Sequence, residues 1–109
     1  MNYPTNSVMQ YSPAILTSAT NHLQKVFGID NLPAKDLEAL HYKLAHLIQE
    51  LLFSDFNRLL HILYRIDVEE RKVKEAMAAE EPEIIAERIS RLIIKRELQK
   101  AENRFRYSQ

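Results

Sequence analysis

One apolar pattern in the middle of the chain limits the folds that the sequence can adopt. Between residues 37 and 51, five leucines recur at alternating spacings of three and four: Leu37, Leu40, Leu44, Leu47 and Leu51. Residues at this spacing share one side of an α-helix, whereas a half-buried strand needs apolar residues at every second position. The sequence therefore predicts a long amphipathic helix that faces a core.

Glycine and proline usage extends this prediction to the whole chain. The 109 residues include one glycine and four prolines, which leaves little material for the tight turns of a β-protein. Apolar residues make up 46% of the chain and charged residues 28%, which is ordinary for a globular domain of this length. We expect an all-α protein, folded as a single compact bundle of four to five helices.

Local signals predict where the helices begin and end. Ser12 and Pro13 offer a capping hydroxyl followed by a proline at the first helical position, and Gly28 stops this helix. Asn31 is a candidate cap for the second helix. The apolar stripe then slips by one residue at "SD" (54–55), which predicts either a break with a new cap or a kink, and favours the break.

The segment "DVEE" (67–70) predicts a further helix start. Its layout is a variant of the capping box, in which Asp67 is the structural N-cap and Glu70 reaches back to the cap amide. Pro82 is expected to open the last helix, which should run to about Glu102. The predicted limits are an N-terminal tail or strap, a helical bundle and a frayed C-terminal tail, over residues 1–11, 12–102 and 103–109.

The N-terminal residues and the length of the apolar stretches indicate the cellular location of the protein. Residues 1–13 lack the charged start and apolar run of a signal peptide. No uncharged apolar stretch approaches the roughly 20 residues that cross a bilayer. The sequence therefore predicts a cytoplasmic protein without a membrane partner.

Two segments carry a resemblance. The stretch "DFNRLLHILYRIDV" (55–68) and the closing helix "IAERISRLIIKRELQK" (85–100) resemble a family of short, uncharacterised bacterial all-α proteins. The resemblance covers about residues 36–101. It implies a helical fold and brings no activity with it.

Metal ligation and catalysis have weak support in the sequence. The chain has no cysteine, which excludes disulfides and thiol chemistry. Glu38 and His41 form an E-x-x-H pair that di-iron bundles use twice, but it occurs once here. His61 lies near arginines without a nucleophile or phosphate loop, and His22 is interpreted as a histidine that borders the core or is a satisfied core residue. We expect no metal, no cofactor, no catalytic residue and no enzymatic activity.

Charge patterning offers one alternative function. Fifteen basic and fifteen acidic residues cancel overall, but residues 66–87 hold three basic and eight acidic residues, while residues 88–109 hold seven basic and two acidic ones. The candidate nucleic-acid face comprises Arg88, Arg91, Lys95 and Arg96. Nucleic-acid binding by this basic C-terminal helix is the alternative, since a net charge near zero is unfavourable for phosphate contacts.

The main functional prediction rests on an apolar surplus. Adjacent apolar positions in a helix cannot all point into one small core, so some are expected to form an interface. The candidate interface residues are Leu52, Phe53, Ile85, Ile89, Ile93 and Ile94. The sequence thus favours a small non-enzymatic protein–protein interaction module that pairs as a homodimer or with an unidentified protein, mainly through the last helix.

Overall fold

The computed structural model describes residues 11–107, which form five α-helices and no strand. In chain order, α1 to α5 are Pro13–Phe27, Leu37–Ser54, Phe56–Ile66, Glu70–Ala76 and Pro82–Tyr107. The predicted all-α bundle is confirmed. Residues 1–10, the greater part of the predicted tail or strap, lie outside the described residues.

The longest helix, α5, is the centre of the bundle and packs against each of the other four. Its main neighbour is α2, which contributes three side chains with no exposed surface: Leu40 and Leu44 of the leucine stripe, and Ile48 beside it. Burying each such side chain stabilises the fold by roughly 1.5–3 kcal/mol before the loss of chain entropy is counted. The prediction that the apolar side of this helix faces the core is therefore confirmed.

Three helix boundaries match their sequence signals. The Ser12 hydroxyl accepts a hydrogen bond from the Ile15 N–H at 3.2 Å, and Pro13 is the first residue of α1. Gly28 ends α1 with φ of 69°, a left-handed conformation that glycine adopts without a steric cost. Pro82 is the first residue of α5. These predictions are confirmed.

The slip in the apolar stripe marks a true break between α2 and α3. α2 ends at Ser54, and the Asp55 carboxylate caps α3 by accepting from the Arg58 N–H at 3.1 Å. The Arg58 guanidinium then donates to the Phe27 carbonyl at 2.8 Å, which ties the start of α3 to the end of α1. The break is confirmed, and of the two capping residues that the sequence allowed, Ser54 and Asp55, the structure has Asp55.

The capping role predicted for Asp67 and Glu70 is wrong. Asp67 follows the last residue of α3 with φ of 69°, and the amides of Asp67 and Val68 bond back to Tyr64 and Leu63 in a Schellman motif. Aspartate tolerates the left-handed conformation because its side chain is short and polar. The N-cap of α4 is Glu69, without a side-chain hydrogen bond, and Glu70 is the first helical residue.

Two further boundaries differ from the sequence prediction. The N-cap of α2 is Asp36, which accepts from the Ala39 N–H at 3.2 Å, while Asn31 lies in the connector with φ of 68°. α5 continues past Glu102 to Tyr107, because its last turns still contact α1 through Arg104.

No helix of the described chain is both long and apolar enough to cross a membrane.

Candidate interaction surface and polar groove

An apolar stripe lies exposed on α3. Phe56, Leu60 and Tyr64 are four residues apart, so they occupy one side of the helix in successive turns. Their side chains are 42%, 41% and 87% exposed, and Phe53 in the last turn of α2 is 73% exposed. These four residues, Phe53, Phe56, Leu60 and Tyr64, are called the α3 stripe below.

The stripe is exposed because α3 carries apolar residues over a wider arc than the core can use. Its inner side is buried through Leu59, Ile62, Leu63 and Ile66. With aromatic side chains of 150–250 Å² each, the observed exposures leave on the order of 500 Å² of surface on the stripe residues. This sum is within the range of about 300–600 Å² for the largest apolar patch on a typical monomer, a patch that is often functional.

The interface predicted on the last helix is wrong in three of its members. Ile89, Ile93 and Ile94 are 0%, 0% and 2% exposed, so none of them is available to a partner. The cause is the central position of α5, which buries a wide apolar face against four neighbours. Leu52 and Ile85 are half-buried against the core, and Phe53 alone of the predicted set is largely exposed.

The basic face predicted on α5 is partly neutralised. The Arg91 guanidinium lies 3.3 Å from the Glu87 carboxylate, and Arg96 contacts both the Asp67 carboxylate at 3.2 Å and its carbonyl at 3.1 Å. Arg88 and Lys95 are exposed on the same helix. Because carboxylates already engage two of the four cations, this surface offers less charge to phosphates than the sequence implied.

A buried carboxylate, which sequence reasoning missed, lies between α1 and α5. Glu97 is completely buried, and His22 Nδ1 lies 2.9 and 2.8 Å from its two oxygens. Lys100 Nζ lies 3.2 Å from the same carboxylate and donates to the Ile66 carbonyl at 2.9 Å. The sequence did contain one signal of this burial. Glu97 lies four residues after Ile93 and four before Ala101, both buried, so helical spacing places it on the buried side of α5.

A shallow polar groove borders this buried carboxylate and is called the α1–α5 groove. It runs along α1 and is closed on one side by Arg104 of α5, whose guanidinium donates to the Ser18 hydroxyl at 2.9 Å. His22, 35% exposed, is the link between the groove and Glu97. The interpretation of His22 as a residue at the border of the core is confirmed.

A second groove, between α2 and α5, contains Glu38 and His41, the E-x-x-H pair of the sequence. Glu38, His41, Glu87 and Arg91 line it, and the Ser90 hydroxyl donates to the His41 carbonyl at 3.2 Å. Burial, and to a lesser degree the Arg91 guanidinium, lower the pKa of His41 below its ordinary value. Across residues 11–107, no group of three or more His, Asp or Glu side chains has the arrangement to hold a metal ion.

Comparisons with models of protein families, with curated proteins and with solved structures each returned no match. The resemblance to short bacterial all-α proteins therefore stays a prediction. Any functional conclusion has to rest on the surfaces of this molecule.

Proposed function

We propose that this chain is a small non-enzymatic interaction module that forms a homodimer through the α3 stripe. One observation supports this above all others. Three large apolar side chains, Phe56, Leu60 and Tyr64, stand exposed in successive turns of one helix while the core behind them is complete. Covering them would remove unfavourable apolar surface from water.

The order of residues along α3 supports a second copy of the chain as the partner. The three members of the stripe that lie on α3 itself, Phe56, Leu60 and Tyr64, read aromatic, leucine, aromatic, so they have the same pattern in both directions. An antiparallel two-fold pairing of two α3 helices would therefore place Phe56 opposite Tyr64 of the second copy, and Leu60 opposite its own equivalent. Antiparallel pairing also sets the two helix dipoles in opposite directions, which is favourable.

The size of the stripe sets the expected strength of the dimer. About 500 Å² per chain is somewhat below the roughly 800 Å² that each partner contributes to a standard interface. The affinity should come from apolar burial rather than from ion pairs, because exposed pairs contribute only about 0–1 kcal/mol. We therefore expect a dimer of moderate affinity that depends little on salt.

Sedimentation velocity of matched tyrosine variants tests the proposal. At about 100 µM protein, a dimer with a micromolar dissociation constant is the main species. The wild-type chain should therefore sediment as a species with twice the 12.8 kDa mass of the monomer. Tyr64→Glu should sediment as a monomer, because a carboxylate would be buried in the apolar contact. Tyr42→Glu makes the same change at a tyrosine that is 71% exposed outside the stripe, and it should remain dimeric.

Circular dichroism of each variant provides the control for folding. Both tyrosines are largely exposed, so both variants should keep the helical spectrum of the wild type. A wild-type monomer at the highest concentration reached, or equal dissociation of both variants, would contradict the proposal.

A further inference from the structure

The α1–α5 groove has a composition that the proposed interaction surface does not explain. Its polar lining consists of hydroxyl, amide, imidazole, ammonium and guanidinium groups: Thr17, Ser18, Asn21, His22, Lys25 and Arg104. Among the described residues that line it there is no aspartate or glutamate. α1 as a whole contains no acidic residue. The groove therefore presents hydrogen-bond donors, with positive charge at Lys25 and Arg104, beside the apolar residues Pro13 and Ala14.

The buried carboxylate fixes the orientation of the imidazole that lines the groove. Both Glu97 oxygens lie within 2.9 Å of His22 Nδ1, so the Nδ1 proton is donated into the core. This leaves Nε2 as the ring atom available to a ligand. Because Glu97 is completely buried and Lys100 also contacts it, its charge is compensated inside the bundle.

The guanidinium of Arg104 is also held in place. It donates to the Ser18 hydroxyl at 2.9 Å, which keeps it across the groove from α1. Arginine presents five N–H donors in a planar fork, so one bond to Ser18 leaves further donors for a ligand. Lys25 lies seven residues after Ser18, two turns along the same helix, and contributes a second cation.

We propose that the α1–α5 groove binds a phosphate group. Arg104 and Lys25 donate charge-assisted hydrogen bonds to the phosphate oxygens, and the Asn21 amide contributes a neutral one. His22 Nε2 accepts from the P–OH of the ligand when the imidazole is neutral and donates to an oxygen when it is protonated. A phosphate carries more acceptor oxygens than a carboxylate, so it matches this set of donors better. The proposal is independent of dimer formation.

Amide NMR spectra of the ¹⁵N-labelled full chain provide the test. Sodium phosphate should produce saturable shifts at the amides of residues 14–25 and of Arg104, whereas sodium chloride at matched ionic strength should not. Arg104→Gln and Lys25→Gln should each weaken phosphate binding about tenfold, the loss expected for one charge-assisted hydrogen bond. Both side chains are exposed, so the two variants should remain folded.

Matched variants and a second ligand complete the experiment. Arg106→Gln and Lys35→Gln remove the same charges at exposed positions outside the groove and should leave the affinity unchanged. A titration with adenosine monophosphate distinguishes a phosphate ester from free phosphate as the ligand. Tighter binding than inorganic phosphate supports an ester, and equal binding supports the free ion. Equal responses to phosphate and chloride, equal losses in groove and control variants, or binding of a DNA duplex without a phosphate response would overturn the proposal.

Discussion

Ile94→Glu is expected to unfold the monomer. The Ile94 side chain is 2% exposed in the centre of the bundle, so the new carboxylate would be buried without a partner. Burying an unpaired charge costs more than about 4 kcal/mol in the severe cases. A domain of this size has a total stability of about 5–15 kcal/mol, so most or all of the margin would be lost. Circular dichroism at 25 °C and thermal melting measure the effect.

The same substitution ten residues earlier is the matched control. Ile84 is 37% exposed in the first turn of α5, where an acidic side chain is favourable to the helix dipole. Ile84→Glu should therefore stay within about 1 kcal/mol of the wild type, as surface changes usually do. A folded Ile94→Glu protein that had only lost its dimer would contradict this burial and restore the last helix as the interface.

The second large effect is expected at the buried carboxylate. His22→Leu leaves Glu97 buried with Lys100 as its one cationic contact in the described chain. Removing one partner of a buried carboxylate costs up to about 3–5 kcal/mol, and we expect about 2 kcal/mol here because Lys100 still contacts Glu97 and His22 is 35% exposed, so water can enter. Glu97→Leu removes the buried charge itself and replaces it with an apolar side chain of similar size.

The two leucine variants should therefore differ in stability, although they remove the same contact. In Glu97→Leu, His22 and Lys100 both retain access to water, and Lys100 keeps its bond to the Ile66 carbonyl. We expect this variant within about 1 kcal/mol of the wild type. Urea denaturation of both variants measures the difference. A Glu97→Leu protein that is less stable than His22→Leu would show that the carboxylate contributes more than its own burial costs.

Much of the fold could be predicted because its signals are local. A hydroxyl before a proline at Ser12, a glycine at position 28 and a proline at position 82 act within a few residues of a helix end. The slip in the apolar stripe predicted the break in the same way and narrowed its cap to Ser54 or Asp55, of which the structure has Asp55. Asp67 shows where such local signals are ambiguous. An aspartate between two helices can end the first helix in the left-handed conformation, as it does here, or act as the N-cap of the second helix.

The burial of the candidate site residues could not be predicted in this way, because it depends on contacts between residues far apart in the sequence. Ile84 and Ile94 are the same residue type in the same helix, yet Ile84 is 37% exposed and Ile94 is 2% exposed, because Ile94 packs in the core of the bundle and Ile84 does not. Glu97 lies within a run of charged residues typical of a solvated face, yet His22, 75 positions earlier, makes it a core residue. Helical spacing places Phe56 and Leu60 in the same apolar arc as buried Leu59 and Leu63, so the sequence alone could not separate the exposed residues of α3 from its core residues.

Disulfide formation at position 60 tests the dimer most directly. The natural chain has no cysteine, so Leu60→Cys introduces a single thiol at the centre of the α3 stripe. If two antiparallel helices pack 8–10 Å apart, Cα atoms that face each other across the axis lie about 3.4–5.4 Å apart, which overlaps the disulfide range of about 4.4–6.8 Å. We expect rapid oxidation to a covalent dimer at micromolar concentration, and none for Lys43→Cys, an exposed position on α2. Equal, slow oxidation of both variants would contradict pairing through α3.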